Sequence, residues 1–94
     1  MDVFEVIGLR GSRIILRELS RKDAMRYSDL QGAVGSPSTT NLALDKLRRS
    51  SLVTRKVLDE PYRPVAYSLT ESGKRVAALV REIEQVYASG PKDG

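Results

Sequence analysis

Ser36-Pro37-Ser38-Thr39-Thr40-Asn41-Leu42-Ala43-Leu44-Asp45-Lys46-Leu47-Arg48-Arg49-Ser50-Ser51-Leu52-Val53 is the stretch on which the fold turns. Ser36 is a good N-cap residue, and Pro37 stands at the first helical position, where its missing N–H is harmless. Thr40, Ala43, Leu44 and Leu47 fall on one helical face, and the run ends near Ser50-Ser51. The spacing predicts a helix over about 37–50 with a buried stripe and a polar outer face.

Upstream, Ser28-Asp29-Leu30-Gln31 has the capping-box form, and Gly32 and Gly35 limit the helix begun there to about two turns. Two helices separated by Val34-Gly35-Ser36 make a helix-turn-helix. Before them, Ser12 is read as the N-cap of a helix whose Ile15, Leu16 and Leu19 form an apolar stripe, with Arg13, Arg17 and Arg21 largely elsewhere. Val3, Phe4 and Ile7 share a face of a short N-terminal helix that precedes Gly8 and Gly11.

Downstream, Leu52-Val53-Thr54-Arg55-Lys56-Val57-Leu58 is rich in β-branched residues, and Val65-Ala66-Tyr67-Ser68-Leu69 alternates apolar with small or polar positions. These predict a hairpin over about 52–69. Its loop, Asp59-Glu60-Pro61-Tyr62-Arg63-Pro64, is too long for a two-residue turn and is stiffened by two prolines. Thr70 caps a closing helix over about 71–88, in which Val76, Val80, Ile83 and Tyr87 recur at seam-like spacing. Residues 89–94 read as a flexible tail. The expected fold class is α+β, mainly α, in one domain over 1–88: three N-terminal helices, a β-hairpin wing and a long C-terminal helix.

Composition narrows the function. The 94 residues contain neither cysteine nor histidine. That excludes disulfides, thiol redox chemistry, zinc fingers and imidazole catalysis. No serine, lysine or aspartate has a recognisable base partner, and no glycine loop cradles phosphate, so an enzyme, a metal site and a cofactor are not expected. The N-terminal residues lack the pattern of a signal peptide and no apolar run reaches a membrane span, which gives a cytoplasmic expectation. One asparagine, two glutamines and a high charged fraction point to a thermophilic source.

Net charge is +4. Residues 36–58 hold Lys46, Arg48, Arg49, Arg55 and Lys56 against Asp45 alone, while the remainder balances eleven basic against eleven acidic residues. A basic excess confined to one stretch is the footprint of a phosphate-binding surface; a merely solvated basic face is the bland alternative.

Three stretches in order carry a family resemblance: Ile14-Ile15-Leu16-Arg17-Glu18-Leu19, the run from Leu44 to Val53, and Arg63-Pro64-Val65-Ala66-Tyr67-Ser68-Leu69-Thr70-Glu71-Ser72-Gly73-Lys74. Over roughly residues 8–80 the chain resembles the winged helix-turn-helix transcriptional regulators of the HxlR-like and MarR-like families. The resemblance implies a homodimer on double-stranded DNA, with the second helix of the motif in the major groove and the wing on the adjacent minor groove. Two departures matter. Such proteins usually place glycine where this chain has Ser51, so the recognition helix is expected to end differently. HxlR-like proteins often carry a sensing cysteine near the N-terminus, and this chain has none, so redox sensing is not carried over.

With Thr40, Ala43, Leu44 and Leu47 buried, Ser38, Leu42, Asp45 and Arg49 point most directly outward and Asn41 lies at the stripe's edge. Arg49 can bind guanine or phosphate, Asn41 can pair with adenine, Leu42 can touch a thymine methyl, and Asp45 can accept from cytosine. Each also has a structural reading: Asp45 and Arg49 are an i, i+4 ion pair, Ser38 part of the helix start, Leu42 cover for a partner. Thr39, Lys46 and Arg48 flank the stripe and are expected on phosphates.

On the hairpin, Arg55, Lys56 and Arg63 bring charge, with Arg63 the candidate for the minor groove. Asp59 and Glu60 would repel phosphate there unless they turn away, and Tyr62 is expected to pack under the loop. On the last helix, Val76 and Leu79 are expected to close the monomer's own core. Val80, Ile83, Val86 and Tyr87, with Val3, Phe4 and Ile7, are the candidate dimer interface. A competing function is a winged-helix module for protein–protein contact in a transcription or assembly complex. No pattern identifies a small-molecule effector.

Overall fold

The computed structural model describes residues 2–90. In chain order it forms α1 (Val3–Ile7), α2 (Arg10–Arg21), β1 (Met25–Arg26), α3 (Tyr27–Val34), α4 (Pro37–Arg49), β2 (Val53–Val57), β3 (Val65–Leu69) and α5 (Glu71–Ser89). The three strands make one antiparallel sheet in the order β1-β3-β2. This is the architecture of a winged helix-turn-helix.

The short helix α1 buries Val6 completely, and its last carbonyls, those of Ile7 and Gly8, accept from the Arg13 guanidinium at 2.9 and 2.8 Å. The next helix begins earlier than its sequence suggests. Leu9, not Ser12, is the N-cap of α2, and Ser12 lies fully buried inside it. The cause is a close helix crossing: a Cβ on Gly11 would lie 3.0 Å from Ala43 Cβ and 3.1 Å from Thr39 Cγ2. Small residues at 11 and 12 that look like a turn signal are instead where α2 presses on α4. Among the described residues, Ser12 Oγ has no hydrogen-bond partner.

Similarly, Ser28 does not cap α3. The helix starts at Tyr27 with Arg26 as its N-cap and no side-chain cap bond. Met25 and Arg26 pair with Tyr67 and Ala66 of β3, so the sheet, not a side chain, fixes where this helix begins. It ends at Gly35, whose left-handed φ of 94° suits glycine alone without strain. Arg10 Nη2 also donates to the Val34 carbonyl at 2.9 Å. The turn of the motif is thus Gly35-Ser36, one residue shorter than Val34-Gly35-Ser36.

α4 follows its sequence closely. Ser36 Oγ accepts from the Thr39 N–H, Pro37 stands in the first turn, and Thr40, Ala43, Leu44 and Leu47 are buried. At its end Ser51 adopts φ 59°, the conformation usually given to glycine. The Leu52 N–H donates to the Leu47 carbonyl and the Ser51 N–H to that of Arg48, both at 3.0 Å. This pair of bonds is a Schellman motif with serine at its left-handed position. The departure from glycine therefore changes the strain and not the shape.

β2 and β3 pair from Val53 opposite Leu69 to Val57 opposite Val65. Leu52 and Leu58 fall outside β2. Thr70 caps α5 by accepting from the Gly73 N–H at 2.9 Å, and its Oγ1 donates to the Ser51 carbonyl at 2.6 Å. Gly73 has no room for a side chain, since a Cβ there would overlap the Leu52 carbonyl oxygen. Ser51, Leu52, Thr70 and Gly73 thereby lock the end of α4 to the start of α5.

The core gathers Val6, Ile15, Leu16, Leu19, Leu30 and Leu47 with the buried side of the sheet and of α5. Val80 belongs to this core, being only 8% exposed. That corrects its assignment to a dimer interface: it faces α2 with Ala77. Leu79, expected inside, is exposed, because it lies on the neighbouring face of the helix. Residues 81–89 are all exposed, although Arg81, Glu84, Gln85 and Ala88 still border a groove against α2. The expected tail falls mostly outside the described residues: Ser89 ends α5, Gly90 caps it, and 91–94 are not described.

Candidate nucleic-acid interface

The outer face of α4 presents Ser38, Asn41, Leu42, Asp45, Arg48 and Arg49 to solvent. Leu42 is half exposed at 49%. Thr39 and Lys46 are only partly accessible, and the Thr39 methyl is held at the Gly11 crossing. Asp45 and Arg49 form the i, i+4 ion pair at 3.2 Å, with both side chains still largely exposed. Such a pair is worth a few tenths of a kcal/mol, so it orients Arg49 without withdrawing it. Ser38 Oγ lies 3.2 Å from Ser36 Oγ and shares in the helix start. Lys46, Arg48 and Arg49 occupy the last turn, where the helix dipole favours cations.

One neighbour of this face gives no signal in the sequence. The Tyr27 hydroxyl donates to Asn41 Oδ1 at 2.6 Å. The two residues are fourteen apart and meet only because α3 and α4 fold onto each other, so no periodicity within either helix points to the pair.

The wing adds a second basic surface. Arg55 and Lys56 are exposed on β2, but adjacent strand residues point to opposite faces. Arg55 lines a shallow groove with Arg48, Ser51, Val53, Thr54 and Thr70, so one arginine of β2 and one of α4 border the same groove; Lys56 is not among its lining residues. At the tip, Tyr62 and Arg63 have φ of 69° and 43°, and the Arg63 N–H donates to the Glu60 carbonyl at 2.9 Å. Tyr62 does not pack under the loop; it is fully exposed, because the left-handed turn throws it outward. Glu60 pairs with Arg26 at 2.9 Å, which turns one of the two acidic tip residues back toward β1 and leaves Arg63 exposed beside Asp59.

Of the apolar residues proposed for a partner copy, Val3, Phe4, Ile83, Val86 and Tyr87 are exposed, Phe4 at 71% and Tyr87 at 88%. Ile7 is partly buried against the core. Leu79 joins the exposed stripe on α5. Among the described residues no cluster of His, Cys, Asp or Glu is built to hold a metal ion, and no helix is long and apolar enough to cross a membrane.

Known proteins share this arrangement. The structure is similar to the reduced form of the transcriptional regulator YodB from B. subtilis, with a TM-score of 0.81 at 24% identity over 98% of this chain and 91% of that one. It is similar to a MarR-family protein from Porphyromonas gingivalis W83, with a TM-score of 0.78 at 23% identity over 95% and 88%. The ytfH protein of Salmonella typhimurium gives a TM-score of 0.74 at 28% identity over 92% and 81%. No curated protein sequence matches the chain. The family model of HxlR-like helix-turn-helix proteins matches residues 6–90. The exposed second helix of the motif, the wing beside it and this match together establish that the chain belongs to the HxlR-like helix-turn-helix family of transcriptional regulators.

Proposed function

We propose that the chain binds double-stranded DNA sequence-specifically as a homodimer, with α4 in the major groove and the β2–β3 wing on the adjacent minor groove. The observation that supports this reading is that Arg48 of α4 and Arg55 of β2 border one groove, as expected of a surface that follows a phosphate backbone. Arg49 projects from the same helix for base or phosphate contact, and Arg63 from the wing tip for the minor groove. Ser38, Leu42 and Asp45 complete the outward stripe. Thr39 and Lys46, which are partly accessible, act at its margin, and Lys56 meets phosphate from the other side of the wing.

The dimer in this reading is built on Val3, Phe4, Ile83, Val86 and Tyr87, joined by Leu79 and the exposed edge of Ile7. A twofold pair then calls for a near-palindromic site with half-sites about 10 bp apart. Thiol redox control is not part of the proposal, because the chain has no cysteine.

Binding to duplex DNA measured across salt concentrations tests the proposal. A dimer making about eight phosphate contacts gives a log–log slope near −7. Binding that is absent or indifferent to salt removes the DNA reading and favours a protein partner for the same face. A monomeric mass in solution scattering removes the dimer.

A further inference from the structure

Asn41 is the only asparagine in the chain, and its side chain is not free to choose its orientation. An asparagine amide carries an acceptor oxygen at one end and two N–H donors at the other, and a half-turn of the planar group exchanges them. The contact with Tyr27 breaks that symmetry. Its length of 2.6 Å is ordinary for O–H···O and short for N–H···O, which puts the oxygen end against the hydroxyl. The Tyr27 ring is partly buried and packed on the core, which places its hydroxyl beside Asn41. Oδ1 therefore faces α3, and Nδ2 carries its donors away from it on the exposed face of α4.

We propose that Tyr27 is a positioning residue for sequence readout: by holding Asn41 Oδ1, it makes the amide present N–H donors to an acceptor edge in the major groove. Guanine O6 and N7, adenine N7 and thymine O4 are such acceptors. Cytosine, which offers only its N4 donor there and would need the oxygen end that faces Tyr27, is disfavoured. The inference rests on the reading that α4 enters the major groove.

Selection of bound duplexes from a random pool, run with the wild type, Asn41→Ala and Tyr27→Phe, tests it. Asn41→Ala should relax one position of the site, and the wild type should discriminate against cytosine there. Tyr27→Phe keeps the ring and loses only the hydroxyl; by freeing the amide to turn its oxygen outward, it should raise the relative selection of cytosine at that position about tenfold and leave the other positions unchanged. In the free protein the side-chain amide resonances of Asn41, unique in the chain, should shift in Tyr27→Phe, a readout independent of DNA. Cytosine preferred by the wild type, base preferences identical in Tyr27→Phe, or a uniform loss across all sequences in Asn41→Ala would each overturn the proposal. Absence of salt-dependent DNA binding by the wild type would overturn the reading beneath it as well, whereas intact binding with unchanged preferences removes this inference alone.

Discussion

Ser51→Gly should stabilise the protein. Ser51 holds a φ of 59°, a left-handed conformation that costs an L-residue about 1–2 kcal/mol. Glycine relieves that cost but has more freedom to lose on folding, which returns about 0.5–1 kcal/mol. The bonds made by the Ser51 backbone survive the change: its N–H to the Arg48 carbonyl and its carbonyl from Thr70 Oγ1. The net gain is about 0–1.5 kcal/mol, which in a domain of this size raises the melting temperature by up to about 12 °C. Thermal unfolding followed by circular dichroism, at one protein concentration so that association does not contribute, measures it. Ser51→Val is the control and should destabilise, since a β-branched residue fits this region worst. A lower melting temperature for Ser51→Gly, or no difference between glycine and valine, would refute the left-handed ending of α4.

Other substitutions probe the same packing and the proposed interface. Gly73→Ala places a Cβ on the Leu52 carbonyl oxygen and should cost at least about 3 kcal/mol or prevent folding, read by chemical denaturation. Ser12→Ala removes a fully buried hydroxyl with no partner and should be neutral or stabilise by about 1 kcal/mol; a loss larger than that would mean the hydroxyl is bonded. Arg49→Ala should cost about 1–3 kcal/mol of DNA affinity concentrated at one position of the site, while Arg55→Ala should weaken all sequences alike. The reverse pattern would exchange their roles. Ile83→Glu, at a residue 62% exposed, should leave the monomer fold intact and halve the mass seen by light scattering.

What is legible in the sequence depends on how far apart the deciding residues stand. Ser36 and Pro37 begin α4, and Thr70 begins α5, through contacts within one turn, so local chemistry is enough. Ser28 and Ser12 carry the same local signal and fail, because β1 pairing and the Gly11 crossing override it from across the fold. Two-residue strands such as Met25–Arg26 have no period to detect. On the interface, exposure of Asp45 and Arg49 comes from helical angle, whereas the constraint on Asn41 comes from Tyr27 on a different helix. Val80 and Leu79 exchange their expected places because α2 covers one face of α5 as far as Val80 and leaves the neighbouring face bare, and the apolar spacing alone does not say which face is covered.

The sheet order has a mechanical consequence. A wing made of two strands alone would be a hairpin hinged at its base, able to swing against the helices. Here its inner strand, β3, is flanked on both sides, by β2 and by the two residues that lead directly into α3, and Glu60 near the tip is clasped by Arg26 from that same lead-in. Wing and helix pair are thus joined both through the sheet and at the wing tip. In the proposed dimer, a change in the distance or angle between two such units would be transmitted through α5, whose residues 81–89 are all exposed.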